Sequence, residues 1–301
     1  METDKISISM NLPNVELRVL NYGGPEDAPV IFLIHGLGLT SNATVWDWVA
    51  PMLTQDYQVF AIDMRGHGQS SLPADEDFSF GAITNDIHLA QKLLGFSTVL
   101  CVGHSWGADI ALQYAVNFPD AVKGAIAIDG GVLGLNKVMT WDQANVVFEP
   151  PRWQGMKMKT FQESVMETFL ETRHQEQQAE DFHQLFDIIM GSFRRNQNGS
   201  IEPVMSYENQ LRAMKYMFEQ ACDDVYSRVR CPTLFISCNP PQPIDDMTSR
   251  YIAWRDTTLD VVVGAKANRR RMVIDGAIHD VILQKPAEVA AHIKMFSGKR
   301  R

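Results

Sequence analysis

Near the start of the chain, residues 6–10 and 15–20 alternate apolar and polar side chains, the pattern of strands with one covered face. A different pattern begins at residue 29. Pro29-Val30-Ile31-Phe32-Leu33-Ile34 is apolar throughout, and similar short runs recur at residues 59–62, 99–102, 125–128, 233–236 and 272–274. Strands apolar on both faces belong in the middle of a sheet that helices cover on both sides. Helical periodicity fills most of the intervals. Ile83, Ile87, Ala90 and Leu94 recur at spacings of three and four, and Ile110, Ala111, Tyr114 and Ala115 share one helical face. Strands alternating with helices predict an α/β fold: a doubly wound, mostly parallel eight-stranded sheet whose first two strands pair antiparallel.

The alternation breaks after Gly131. From about residue 133 to residue 222 the apolar positions follow helical spacing, in faces such as Phe161, Val165, Phe169, then Phe182, Leu185, Phe186, Ile189, Met190, then Leu211, Met214, Met217, Phe218. Pro150-Pro151 and Gly199 punctuate them. This predicts a helical insertion at 133–222 that interrupts an α/β core made of 1–132 and 223–301.

Composition narrows the function classes. The chain has 301 residues, 45% hydrophobic and 21% charged, enough for one large core under a charged surface. A net charge of −9 argues against nucleic acid, because phosphate binding needs clustered Lys and Arg. The runs Arg269-Arg270-Arg271 and Lys299-Arg300-Arg301 are short enough to read as solvated surface. No stretch reaches the roughly 20 apolar residues of a membrane span, and the polar start does not read as a signal peptide. The four cysteines (Cys101, Cys222, Cys231, Cys238) have no metal-like spacing. They fit reduced thiols of a cytoplasmic protein, so the glycosylation-like triplets at Asn42 and Asn198 read as chance matches.

The chemistry concentrates at Gly103-His104-Ser105-Trp106-Gly107, between an apolar strand and an amphipathic helix. A serine hydroxyl is a poor nucleophile until a base takes its proton and the backbone holds it exposed. A tight strand-to-helix turn does the second, and it needs small flanking residues. The amide of Trp106, at a helix N-terminus, is placed to hold an oxyanion. A second donor is expected from His35-Gly36-Leu37-Gly38, with Leu37 ahead of Gly38. His35 reads as a structural hydrogen-bonder rather than a catalyst, and His35 and Gly36 are candidate substrate-binding residues. The base is expected beyond the last strand, in Asp275-Gly276-Ala277-Ile278-His279-Asp280. His279 alone among the eight histidines has that position: His88, His174 and His183 lie in helical segments, and His67 and His104 read as structural.

Together with the loop Asp63-Met64-Arg65-Gly66-His67-Gly68-Gln69-Ser70 and with Pro286, these segments make the chain resemble the α/β-hydrolase superfamily, in its cap-bearing esterase and epoxide-hydrolase-like branch. The resemblance covers both ends of the core and leaves the insertion unmatched. It implies a catalytic triad, an acyl-enzyme route and no metal or organic cofactor. Serine at the elbow, where some relatives carry aspartate, removes epoxide and carbon–halogen cleavage. The chain departs from the family after the strand at 233–236, where the usual acid is replaced by Cys238-Asn239-Pro240-Pro241-Gln242-Pro243. Asp129, at the end of the preceding strand, is the preferred replacement. Asp245 or Asp246 is the alternative.

The expected function is hydrolysis of a small or medium carboxylic ester with an apolar acyl part. The insertion would roof the nucleophile, with Trp141 and Trp153 as candidate pocket walls. The same triad serves lactone, amide or carbon–carbon bond hydrolysis and perhydrolysis, and a non-catalytic ligand receptor on this scaffold is a rival of another class. A homodimer is left open.

Overall fold

A computed structural model of the chain describes residues 5–131, 134–172, 179–242 and 244–297. His174, the tail from Lys299 to Arg301 and the side chain of Phe169 lie outside them.

The strands in chain order are β1 (Ile6–Asn11), β2 (Glu16–Gly23), β3 (Val30–Ile34), β4 (Gln58–Ile62), β5 (Val99–His104), β6 (Val122–Ile128), a short pair β7 (Phe193–Arg195) and β8 (Ile201–Pro203), then β9 (Thr233–Asn239) and β10 (Arg269–Asp275). Eight form one sheet in the order β1-β2-β4-β3-β5-β6-β9-β10. β2 pairs antiparallel with β1 and β4, and the remaining pairs are parallel. Every residue of β3 and β5 is buried, as all-apolar strands between two helical layers require.

The helices are α1 (Ala50–Leu53), α2 (Phe80–Leu93), α3 (Trp106–Asn117), α4 (Trp141–Val147), α5 (Met158–Thr172), α6 (Ala179–Met190), α7 (Tyr207–Glu219), α8 (Cys222–Arg228), α9 (Asp246–Gly264), α10 (Val281–Gln284) and α11 (Pro286–Ser297). One face of the sheet carries the core of α2, α3, α8 and α9, centred on Ile83, Ile110, Tyr114 and Phe235. The other carries α1, α10 and α11 and continues into Phe161, Phe186 and Ile189. No described helix is long and apolar enough to cross a membrane.

Two features lie outside the sequence expectation. The stretch between β6 and β9 is not wholly helical, because β7 and β8 form an antiparallel hairpin closed around Gly199 at φ 76°. Three-residue strands with only Phe193 and Ile201 buried leave too little alternation to detect. The long helix α9 also has a weak apolar pattern, because an arginine occupies its buried stripe: Arg255, Leu259 and Val262.

Register positions the site. β5 and β6 pair at His104 and Ile128, β6 and β9 at Ile128 and Ile236, and β9 and β10 at Asn239 and Asp275. The carboxyl ends of these strands therefore open on one edge, where open α/β sheets bind ligands. Ser105, Asp129 and the loop holding His279 follow β5, β6 and β10 directly.

Candidate active site

Ser105 sits between β5 and α3 at φ 55°, ψ −126°. Among described non-glycine residues, only Glu76, Ser105 and Asp129 have positive φ, a conformation that costs about 1–3 kcal/mol where the fold enforces it. Two of the three are thus candidate catalytic residues. Close approach explains the glycines around the serine. A Cβ on Gly103 would stand 1.9 Å from the Gly107 carbonyl oxygen, one on Gly107 would stand 2.4 Å from that of Ile34, and one on Gly130 would stand 2.2 Å from that of Ser105. The Ser105 amide donates to the Ile128 carbonyl at 2.9 Å and so ties the turn to β6.

His279 reaches this turn from the far end of the chain. Its Nε2 lies 2.9 Å from Ser105 Oγ, and its Nδ1 lies 2.7 Å from Asp129 Oδ2. A carboxylate accepts only, so Nδ1 carries the proton and Nε2 presents its lone pair to the serine hydroxyl. The histidine's backbone is pinned as well. His104 Nε2 donates to the His279 carbonyl at 2.8 Å, Ala277 N donates to Asn239 O at 2.9 Å, and Ile278 N donates to Gln284 Oε1 at 2.8 Å. Burial pushes His104 down to about 4, so its ring is the neutral donor this loop needs.

The electrostatics are those of a charged acid beneath a basic imidazole. Burial alone would raise Asp129, but the hydrogen bond and charge of His279, the Cys238 amide at 3.0 Å and the Arg255 guanidinium hold it below the usual carboxylate range. Desolvation alone would lower His279. The hydrogen bond and charge of Asp129, with the charge of Asp280, outweigh it and raise the imidazole above its ordinary value.

Arg255 was not anticipated from the sequence. Its side chain is 2% exposed, and its Nη1 donates to Asp129 Oδ1 at 3.2 Å and to the Cys238 carbonyl at 2.7 Å, while Nη2 reaches Asn239 at 3.3 Å. It fills the space beneath the segment that lacks the family's usual acid, and it orients the carboxylate from below. A charged residue within the buried stripe of α9 was the available signal. Arg255→Met should lower the free energy of unfolding by about 1–3 kcal/mol, because it removes a charge-assisted hydrogen bond from a buried carboxylate that keeps its bonds to His279 and to the Cys238 amide. A urea melt read by circular dichroism checks this; a change under 1 kcal/mol would contradict the buried pair.

The other anticipated residues are distributed as follows. Trp106 begins α3 with its side chain 1% exposed, leaving its amide at the helix N-terminus beside the serine. Gly36 and Leu37 line the cavity over Ser105. A Cβ on Gly36 would stand 3.0 Å from Ser105 Cβ, so a larger residue there would press on the serine side chain. His35 is fully buried, with Nδ1 donating to Gly36 O at 2.7 Å and Nε2 accepting from Met64 N at 3.1 Å. Both ring nitrogens are occupied, which leaves no direct contact to substrate. Asp245 is the N-cap of α9, accepting from Thr248 N at 2.8 Å. Asp246 pairs with Arg250 at 2.7 Å on the same helix.

The cavity over Ser105 has a volume of about 240 Å³, with walls including Leu39, Val165, Leu185, Ile189, Ile278 and Leu283. A second, of about 180 Å³, shares Leu39 and Val165 with it and includes Trp153, Phe193 and Met205. Trp153 is therefore a cavity wall. Trp141 lines neither; it packs edge-on against Phe218, and Lys215 lies 4.7 Å above its ring. Among the described residues no group of three His, Cys, Asp or Glu side chains is arranged to hold a metal ion.

Comparison with known proteins agrees with this architecture. The chain matches an uncharacterized Mycobacterium bovis protein at 38% identity over 120 residues, 40% of this chain and 32% of that protein. It matches RutD of Escherichia coli, whose carbamate hydrolase activity is itself a proposal, at 35% over 104 residues, 35% of this chain and 38% of that protein. The aligned part thus spans about a third of the length of these curated relatives. Among solved structures, E-2-(acetamidomethylene)succinate hydrolase superposes with a TM-score of 0.74 at 20% identity, covering 97% of this chain and 98% of that one. Carboxylesterase CesB of Bacillus subtilis superposes with a TM-score of 0.65 at 14% identity, covering 98% and 92%. At such identities the likeness is one of fold. The family model for the alpha/beta hydrolase fold matches residues 29–286, and with that extent of match the chain belongs to the alpha/beta hydrolase family.

Proposed function

We propose that the chain is a serine hydrolase that cleaves a small or medium carboxylic ester. The observation that carries this reading is the unbroken relay from Asp129 Oδ2 to His279 Nδ1 at 2.7 Å and from His279 Nε2 to Ser105 Oγ at 2.9 Å. Ser105 attacks the acyl carbon as its proton passes to His279, and Asp129 stabilises the imidazolium. The amides of Trp106 and Leu37 hold the oxyanion. The alcohol leaves with the proton from His279, and water then releases the acyl group by the same steps in reverse roles. The segment 133–222 acts as a cap on a core of 1–132 and 223–301, supplying Val165, Leu185 and Ile189 to the cavity. The apolar walls favour an aliphatic acyl part, and their volume favours a short one.

A panel of p-nitrophenyl acetate, butyrate and octanoate, a matched lactone, an anilide and a carbamate tests this reading. Esters should be turned over fastest, and a fluorophosphonate should label Ser105 stoichiometrically. Failure to label would instead favour a receptor on this scaffold. The ester kcat/KM should also rise with pH through a single ionisation. The free base is the working form of His279, and Asp129 and Asp280 favour its protonated form. The acidic limb should therefore lie above the ordinary imidazole value near 6.5. A limb at or below that value would contradict the charge environment described here.

A further inference from the structure

The cavity over Ser105 carries a charge that the ester mechanism does not use. Asp280 follows the histidine directly and stands at the N-cap of α10, but its side chain makes no capping bond there. Among the described residues its carboxylate has no hydrogen bond and no ion pair. It is exposed and lines the cavity. Its field reaches His279, His104 and Cys238 and favours protonation at each.

Among the described residues no cation pairs with it. Neither cavity has a Lys or Arg among its described lining residues. Arg255 lies on the other side of Asp129 and is committed to it, to the Cys238 carbonyl and to Asn239. Lys285 donates to the Asp275 carbonyl and lies 3.8 Å from Glu288. Apart from His279, the rest of the cavity's lining is neutral and largely apolar. A substrate bound here therefore meets a negative potential on one side and hydrocarbon on the others. An anionic group would be desolvated against a like charge, whereas a cationic group would meet an uncompensated carboxylate.

We propose that Asp280 selects substrate by charge: the site takes esters bearing a quaternary ammonium or protonated amine that reaches Asp280 and turns away carboxylate-bearing ones. This rests on the serine-hydrolase reading above and narrows its substrate class.

The test uses three p-nitrophenyl alkylphosphonates whose alkyl arm ends in a methyl, a trimethylammonium or a carboxylate group. In each, the Ser105 Oγ–phosphorus bond forms, the phosphorus–oxygen bond to p-nitrophenolate breaks, and the serine proton passes to His279. Release of p-nitrophenolate reports the rate without any turnover. The wild type should be labelled fastest by the cationic probe and slowest by the carboxylate probe, with about tenfold between the extremes or more, the scale of one partly screened charge. Asp280→Asn should compress the three rates to within about twofold, and Asp280→Glu should restore the order. Ratios taken within each protein cancel any general effect of the substitution on His279 or on the folded fraction. Equal wild-type rates, a carboxylate probe that labels fastest, or an order unchanged in Asp280→Asn each overturn the proposal. Turnover of the corresponding p-nitrophenyl esters is followed in parallel. Ordered labelling without ester turnover sinks the ester reading and leaves the charge selection standing, and no labelling at all sinks both.

Discussion

Ser105→Ala is expected to lower kcat for a p-nitrophenyl ester by about a thousandfold or more while leaving thermal stability almost unchanged. Among the described residues the hydroxyl makes no bond beyond its contact with His279, and alanine suffers the same positive φ as serine. Ser105→Gly should be equally inactive but more stable by about 1 kcal/mol or more, because glycine adopts that backbone without strain. The double variant Ser105→Ala/His279→Ala should be no slower than Ser105→Ala, since base and nucleophile act as one unit. Stopped assays on purified variants with a differential scanning melt separate these effects. A Ser105→Ala protein that keeps a tenth of wild-type kcat would remove the serine from the mechanism.

The second large effect concerns the acid. Asp129→Asn should lower kcat by about 10⁴-fold, a magnitude known for the same exchange in a serine protease triad, and the surroundings of this carboxylate say why. Oδ1 faces two donors, the Cys238 amide at 3.0 Å and Arg255 Nη1 at 3.2 Å. An asparagine must turn its carbonyl oxygen toward them and so points its NH₂ at His279. That forces Nδ1 to accept and puts the proton on Nε2, where it can no longer take one from Ser105. Asp245→Asn, by contrast, exchanges one good helix cap for another and should change kcat by less than twofold. If Asp245→Asn were the inactive protein and Asp129→Asn retained full rate, the assignment of the acid would be reversed.

The elbow was legible because each requirement is local. Glycine is demanded on both sides of Ser105 by atoms within a few residues or on the adjacent strand, and β5 is apolar enough to announce itself. The position of His279 was legible from order alone, because it follows the last apolar strand. Asp129 could be proposed but not chosen over Asp245 with any force. Both are short acids near a strand end, and their distance from the imidazole depends on how far β6 and β9 run and on where α9 begins. Arg255 was hidden for the opposite reason. Its meaning comes entirely from what lies beneath it in space, and in the chain it only interrupts an otherwise apolar helical stripe.

Periodicity in the chain determined the layered α/β sheet, the serine at its turn and the histidine at the end of the order, since burial and backbone geometry act over a few residues at a time. Only the tertiary structure decided which carboxylate lies 2.7 Å from the imidazole, that a buried arginine orients it, and that Asp280 faces the cavity unneutralised. Those are contacts between segments as much as 150 residues apart in the chain. Electrostatic energy depends on distance in space and on burial, and local sequence carries neither.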